Sequence, residues 1–200
     1  MTESEFIYAF NQPWRIKRDA GEPFPHAKRP AAVLICLNPV EEVSVILTVR
    51  ARHLKHHAGQ ISFPGGKVET FDKNLVDTAC REAREEIGLS TEQLRIIGAM
   101  PSYPTISGFA VTPIIASLQK PIDISETLTI DTNEVEEVFE VPLRILMDPQ
   151  NYFVHEIERD NQKYPVYYIP HEGKTIWGAT AGILAHLRDH VNLYKEMFQR

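Results

Sequence analysis

Apolar residues occur along this chain in two patterns, continuous runs and a helical repeat. Two continuous runs, residues 31–37 and 43–49, are typical of strands that are buried on both faces, and Asn38-Pro39 between them predicts a turn. Shorter apolar runs predict further strands at residues 60–63, 94–100, 109–118, 135–141, 152–156 and 166–169. The chain beyond residue 30 is therefore predicted to be rich in strands.

A helical repeat interrupts these strands between residues 72 and 87. Its apolar residues recur every four positions, as on the buried face of an amphipathic helix: Leu75, Ala79, Ala83 and Ile87, with Val76 and Cys80 beside them. Asp72 is predicted to cap the start of this helix, and Gly88 to follow its end. Residues 3–11 and 175–196 predict a first and a last helix. Strands and helices in mixed order indicate an α/β or α+β sandwich.

Composition limits the domain organisation and the cellular setting. A length of 200 residues fits one domain, with residues 1–30 as an N-terminal helix and proline-rich lead-in and residues 31–200 as the domain itself. The two cysteines, Cys36 and Cys80, lie in apolar patterns and predict buried thiols rather than a disulfide. The sequence shows no signal-peptide pattern and no membrane-spanning apolar run, so we expect a cytoplasmic protein without a membrane partner.

The charge pattern combines an acidic chain with one basic cluster. The net charge of −6 argues against a nucleic-acid-binding face, which is usually basic, but a local basic patch or a bound cation can still hold a small anionic substrate. Residues 50–57 contain the basic side chains of Arg50, Arg52, Lys55, His53, His56 and His57. They can form a clamp for phosphates or a solvated loop. Zinc is the less favoured alternative, because no cysteine or further histidine lies at ligand spacing.

An acidic stretch, residues 80–89 (CREAREEIGL), lies on the predicted helix. Glu82, Glu85 and Glu86 stand at i, i+3 and i+4 and share one face, and Arg81 is placed to pair with Glu85. Carboxylates are hard ligands that suit Mg²⁺ or Mn²⁺. Taken alone, the same stretch also fits a solvated charged face with ion pairs.

A glycine pair precedes this helix and leads to a family resemblance. Residues 63–66 (FPGG) end in two glycines that allow a close approach of backbone to a ligand. Gly66, a loop acid and residues 81–89 (REAREEIGL) resemble the Nudix box. The resemblance implies an α/β/α sandwich with a mixed β-sheet and a metal-dependent diphosphate hydrolase. Two features depart from the pattern: Asp72 stands where glutamate is usual, and eight residues separate it from Arg81, one more than in the general pattern.

A second motif precedes the box and resembles the signature of coenzyme A pyrophosphatases. It comprises residues 47–51 (LTVRA), Leu54-Lys55, Gly59 and residues 63–66, with Lys55 in place of the usual arginine. This resemblance implies cleavage of coenzyme A or acyl-CoA to 3′,5′-ADP and 4′-phosphopantetheine.

The two resemblances together imply a role for each candidate site residue. Glu82 and Glu86 would bind Mg²⁺ or Mn²⁺, and Glu85 would complete the metal site or act as the base. Arg81 would orient Glu85, and Glu134 is a second candidate base. Substrate would meet the side chains and backbone of Arg50, Arg52, Lys55, Gly65 and Gly66.

Other functions and partners fit the same residues. The main alternative is a Nudix pyrophosphatase acting on ADP-ribose, NADH or another nucleoside diphosphate derivative, and a non-catalytic Nudix-fold nucleotide sensor is a further one. A homodimer is compatible with the sequence. Several aromatic residues can stack on an adenine or lie in the core, which is more usual for strand positions: Tyr103, Tyr152, Tyr167, Tyr168 and Trp177.

Overall fold

The structure is a computed structural model that describes residues 1–14, 27–55, 57–159 and 162–195. Within the predicted lead-in, Pro23 and Pro25 lie outside the described residues, as does His56 of the basic cluster. The strands are β1 (Arg29–Asn38), β2 (Ser44–Arg50), β3 (Ile61–Ser62), β4 (Gly65–Lys67), β5 (Leu94–Ala99), β6 (Tyr103–Pro104), β7 (Phe109–Leu118), β8 (Val135–Pro142), β9 (Phe153–Arg159), β10 (Gln162–His171) and β11 (Lys174–Trp177). The α-helices are α1 (Glu3–Phe10), α2 (Leu75–Ile87), α3 (Ile124–Thr127), α4 (Leu143–Met147) and α5 (Gly178–Lys195).

A mixed sheet forms the centre of the fold, with the strand order β3-β2-β1-β7-β5. Strand β1 pairs parallel with β7 and antiparallel with β2. Strand β8 pairs antiparallel with β2. The short strand β4 pairs with the beginning of β1. A smaller antiparallel sheet contains β9, β10 and β11. The predicted mixed sheet is therefore confirmed.

Burial on both faces explains the continuous apolar runs. Along β1, Leu34 and Cys36 belong to a core that also contains the apolar stripe of α2, whereas Ile35 and Leu37 belong to a core on the other face with α5. A strand covered on both faces needs an apolar residue at every position. The predicted sandwich with helices on both faces of the sheet is confirmed.

The start of α2 differs from the prediction. Asn74, not Asp72, caps the helix, and its side-chain oxygen accepts hydrogen bonds from the N–H groups of Val76 and Asp77. The helix begins at Leu75 because Asn74 satisfies these free N–H groups. Gly88 ends it in the left-handed conformation, with φ of 70°, as predicted.

The last helix also begins later than predicted. Residues 175–177 belong to β11, which pairs with β10, and α5 starts at Gly178. Thr175, Ile176 and Trp177 are residue types that favour strands, and this local preference wins over the helical pattern that follows. Tyr168 and Trp177 stack on this small sheet, and Trp177 is exposed, whereas Tyr152 and Tyr167 pack against the core.

The first helix packs into the core. Phe6 and Phe10 of α1 are buried in the cluster that contains α5, and the Phe10 carbonyl is hydrogen-bonded to His190. Cys36 and Cys80 are free and buried, as the sequence predicted. Among the described residues, no helix is both long and apolar enough to cross a bilayer.

Candidate active site

Strand β4 brings two glycines against the acidic face of α2. A Cβ atom on Gly65 would lie 2.6 Å from Cα of Val33 in β1, and a Cβ on Gly66 would collide with the carboxylate of Glu82. Position 65 therefore requires glycine, a side chain at position 66 would displace the Glu82 carboxylate, and the backbone of the turn lies directly against the acids of the helix. The sequence predicts that the backbone of this turn approaches a ligand closely. In the structure, this backbone approaches the protein's own carboxylates.

Glu86 is the most enclosed carboxylate of this group. Its side chain is 5% exposed, it accepts a hydrogen bond of 3.2 Å from the N–H of Gly65, and one oxygen lies 3.9 Å from a guanidinium nitrogen of Arg50. Burial, and then the negative charge of Glu82, raise the pKa of Glu86 to about 8. Its negative charge is therefore poorly compensated by the protein alone.

Glu82 lies one helical turn before Glu86 and shares this environment. Its side chain is 15% exposed and accepts a hydrogen bond of 2.8 Å from Arg81. Burial raises its pKa, although the bond to Arg81 acts in the opposite direction. Glu134 lies close enough for its charge to raise the pKa of both glutamates. These acids thus form one electrostatically coupled group.

Arg81 connects the acids of the helix with the preceding loop. Its guanidinium binds Asp72 through two nitrogens, at 3.0 and 3.1 Å, and also donates to the carbonyl of Lys67. The same group donates to Glu82 and, at 2.9 Å, to Glu85. Arg81 is therefore fixed from several sides.

Asp72 is the loop acid whose role the sequence left open. Its side chain is 2% exposed, and besides Arg81 it accepts hydrogen bonds from the Glu69 N–H and the Thr78 hydroxyl. Arg81, as the main cause, holds the pKa of Asp72 well below its usual range. The available signal for this role in the sequence is the position of Asp72 as the acid of the loop before the acidic helix. Although eight residues separate them, the carboxylate of Asp72 reaches Arg81.

The predicted metal residues are brought together in part. Glu82 and Glu86 meet at the glycine turn, whereas Glu85 is 53% exposed on the side chain and paired with Arg81. The described parts of the chain contain no group of three or more His, Cys, Asp or Glu residues arranged around a single point. The pair of glutamates still fits Mg²⁺ or Mn²⁺, because a poorly compensated carboxylate pair is a hard ligand set.

The basic cluster spreads over the surface beside these acids. Arg50 reaches Glu86, whereas Arg52 is 81% exposed and pairs with Glu136, and Lys55 is exposed. Among the predicted histidines, His53 bonds the Asn133 carbonyl and His57 bonds the side chain of Gln60.

Comparisons with known proteins identify relatives of this chain. The family model for the NUDIX domain matches residues 27–161. A protein of Yersinia enterocolitica, named "Uncharacterized Nudix hydrolase NudL", is 35% identical over 192 residues, which cover 96% of this chain and 94% of the relative. A protein of the same name from Pectobacterium atrosepticum is 34% identical over 162 residues, covering 81% and 82% of the two chains.

Among solved structures, the MutT protein from Methanosarcina mazei Go1 has a similar fold. The TM-score is 0.50 at 18% sequence identity, and the match covers 86% of this chain and 96% of that chain. This likeness concerns the fold alone.

Proposed function

This chain belongs to the Nudix hydrolase family, and we propose that it cleaves the diphosphate of coenzyme A or acyl-CoA to 3′,5′-ADP and a 4′-phosphopantetheine product. The observation that carries the proposal is the contact between Arg50, from the signature that resembles coenzyme A pyrophosphatases, and Glu86, from the box. The two motifs are 36 positions apart in numbering, from residue 50 to residue 86, and yet they meet at one carboxylate.

The backbone of the signature supports this proposal. The N–H of Arg50 donates to the Gln60 carbonyl at 2.9 Å, and the Arg50 carbonyl accepts from the Gly59 N–H at 3.0 Å. Gly59 has a φ of 70°, a conformation that glycine adopts readily. These contacts of Arg50 with Gly59 and Gln60 close the base of the loop that follows β2, beside the acids, which suits a role in holding the substrate.

We propose that Glu82 and Glu86 hold a divalent cation, Mg²⁺ or Mn²⁺, with Glu85 available to complete the site. When bound, such a cation neutralises charge on the diphosphate and lowers the pKa of water. Mg²⁺ commonly uses one or two carboxylates together with substrate phosphates, so two glutamates suffice on the protein side.

The chain's own residues position the reactants. Gly65 and Gly66 let the turn lie against Glu82 and Glu86, and Arg50, with Arg52 and Lys55 at the rim, binds phosphate oxygens. Arg81 holds Glu82 in place.

We propose Glu134 as the base, because Glu85 already accepts a hydrogen bond from Arg81, whereas Glu134 is exposed beside the two metal glutamates. Glu134 takes a proton from water while the water oxygen bonds to one phosphorus. The bond from that phosphorus to the bridging oxygen breaks, and the bridging oxygen leaves with the other phosphate.

A substrate panel tests this proposal. Coenzyme A, acetyl-CoA, ADP-ribose, NADH and a dinucleoside polyphosphate are each incubated with the protein and Mg²⁺ or Mn²⁺ in ¹⁸O water, and mass spectrometry identifies the products and the phosphate that gains the label. We expect the highest kcat/KM for coenzyme A or its acyl derivative. A higher kcat/KM for ADP-ribose or NADH would replace this proposal with the alternative substrate class.

Glu86→Gln is the control variant for that panel. It keeps the size of the side chain and removes one metal-binding charge, so we expect loss of turnover with an unchanged circular dichroism spectrum. A near-wild-type rate of Glu86→Gln at saturating Mg²⁺ would contradict the assigned site. Absence of hydrolysis by the wild-type protein across the whole panel would instead favour a nucleotide sensor.

A further inference from the structure

We infer that Arg50 is a placeholder cation: it pairs loosely with Glu86 in the metal-free protein, is displaced from Glu86 when a divalent cation binds, and is then available to the phosphates of the substrate. The inference rests on the proposed function, because it concerns the same metal and substrate site. It goes further by making metal binding and substrate binding depend on one arginine.

The contact itself is a loose ion pair. The guanidinium nitrogen of Arg50 lies 3.9 Å from the Glu86 oxygen, which is beyond hydrogen-bond distance, whereas Arg81 makes its contacts at 2.8 to 3.1 Å. Glu86 is also far more enclosed than its partner, with 5% of its side chain exposed against 29% for Arg50. The arginine can therefore leave the pair more easily than the glutamate.

The backbone of Arg50 is fixed even though its side chain is accessible. Hydrogen bonds to Gln60 and from Gly59 hold both of its peptide groups, and Arg50 lies at an irregularity in the pairing of β2 with β8. The guanidinium can thus change partners without any movement of the strand. A long, partly exposed side chain on a fixed backbone is suited to such an exchange.

Arg81 provides the contrast within the same site. Its side chain is 11% exposed and is held by Asp72, Glu82, Glu85 and a backbone carbonyl. A guanidinium with four partners loses several charge-assisted hydrogen bonds if it moves, whereas Arg50 loses one distant contact. Of these two arginines, Arg50 is therefore the one suited to exchange.

Electrostatics makes the exchange directional. A divalent cation at Glu86 attracts the carboxylate more strongly than a guanidinium at 3.9 Å and repels that guanidinium. A released arginine next to the metal is well placed for phosphate oxygens, which it can bind through two nitrogens. The arginine therefore weakens metal binding before substrate arrives and strengthens substrate binding afterwards.

The test measures metal affinity without any substrate. Binding of Mn²⁺ to the full chain is followed by the electron paramagnetic resonance signal of free Mn²⁺, in alkaline buffer where protons compete least for the carboxylates. The Arg50→Met variant keeps the length of the side chain and removes its charge. We expect Arg50→Met to bind Mn²⁺ about fivefold or more tightly than the wild type, the lower end of ordinary coupling between two ligands.

Thermal unfolding gives a second readout that distinguishes a placeholder from a structural ion pair. If Arg50 stabilises Glu86 only while the metal is absent, Arg50→Met lowers the melting temperature in EDTA, and saturating Mn²⁺ removes the difference. A melting-temperature deficit that persists in Mn²⁺, or Mn²⁺ affinity equal to or weaker than that of the wild type, would overturn the inference.

Arg52→Met is the matched control, because it removes the same charge two positions along the chain. Arg52 is 81% exposed and pairs with Glu136 rather than with Glu86. We expect its Mn²⁺ affinity to stay within about twofold of the wild type, since exposed charges are strongly screened. An equal gain in both variants would show a general effect of net charge and would overturn the placeholder role.

The proposed substrate can fail independently of this inference. Tighter Mn²⁺ binding by Arg50→Met, in a protein that does not cleave coenzyme A, would leave the placeholder in place and reject the substrate. Cleavage of coenzyme A by the wild type, together with unchanged Mn²⁺ affinity in Arg50→Met, would support the substrate and reject the placeholder role.

Discussion

Replacing Asp72 with asparagine tests whether the loop acid positions the active site through Arg81. The substitution keeps the shape of the side chain and removes its charge. One carboxylate oxygen accepts from Arg81 Nε, and the other accepts from Arg81 Nη2, the Glu69 N–H and the Thr78 hydroxyl. An asparagine oxygen can replace the second of these, but its NH₂ group then faces a donor nitrogen of Arg81.

The cost follows from these contacts. Asp72→Asn loses one charge-assisted hydrogen bond, weakens the others and leaves the charge of Arg81, whose side chain is 11% exposed, less compensated. Loss of one partner from such a buried pair suggests a decrease of about 3 kcal/mol in the free energy of unfolding. For a chain of this size that corresponds to a melting temperature lower by roughly 6–12 °C.

The pH dependence identifies the cause. The pKa of Asp72 is held well below 3.8, so its ionised form stabilises the fold above that pH, and this contribution is lost as the pH falls further. The melting temperatures of wild type and Asp72→Asn, measured by calorimetry in EDTA, should therefore converge in acid. With Arg81 less fixed, Glu82 loses its orientation, and we expect metal affinity or kcat to decrease by about tenfold to a hundredfold.

Asp123→Asn is the control for this experiment, because Asp123 is exposed and caps a short helix, a role that asparagine also fills. It should melt and turn over like the wild type. Asp72→Asn behaving in the same way, with unchanged melting temperature, metal affinity and kcat, would refute the assigned role of Asp72.

Three further predictions concern the glutamates, the glycine turn and the helix start. In EDTA, the pKa of Glu86 is raised to about 8, so its protonated form stabilises the fold fully below pH 4.5, and this contribution is lost as the pH rises through 8. Calorimetry should show that the free energy of unfolding declines by roughly 2–5 kcal/mol over this range and that Glu86→Gln abolishes the decline. An equal slope in both proteins would contradict this. Gly66→Ala forces a methyl group into the carboxylate of Glu82, so Mn²⁺ affinity measured by titration should fall at least about tenfold; unchanged affinity would mean that Glu82 is not a ligand. Asn74→Ala removes the cap of α2 and should cost about 1 kcal/mol in urea unfolding with kcat retained; a large loss of kcat would show that the cap also positions the site.

The sequence predicts the sandwich because its main elements carry redundant signals. Strands β1 and β2 are buried on both faces over most of their length, so apolar residues predominate in them, and α2 has an apolar stripe over its whole length. In each of these elements several residues indicate the same secondary structure, and tertiary contacts do not change that structure. The predicted limits of β7, residues 109–118, therefore agree with the structure to the residue.

Elements that depend on a partner strand or a single cap are less visible in the sequence. Strand β4 consists of Gly65, Gly66 and Lys67, none of which favours a strand, and it forms through its pairing with β1. The cap of α2 was assigned to Asp72, because aspartate and asparagine both suit that position. The choice depends on which of the two is needed elsewhere, and Arg81 binds Asp72.

The division of labour between Arg50 and Arg81 shows what a motif alone leaves undetermined. Both are arginines in motifs that the sequence marks as parts of the site, but their behaviour depends on the partners that the fold supplies. Arg81 has acids on three sides and a backbone carbonyl, so its position is fixed before any ligand binds. Arg50 has one distant acid and an anchored backbone, so its side chain can exchange partners. In the function that we propose, the site accepts a cation and then an anionic diphosphate, and it benefits from both kinds of arginine, because the fixed one keeps the carboxylates in place while the movable one keeps charge balanced at each step.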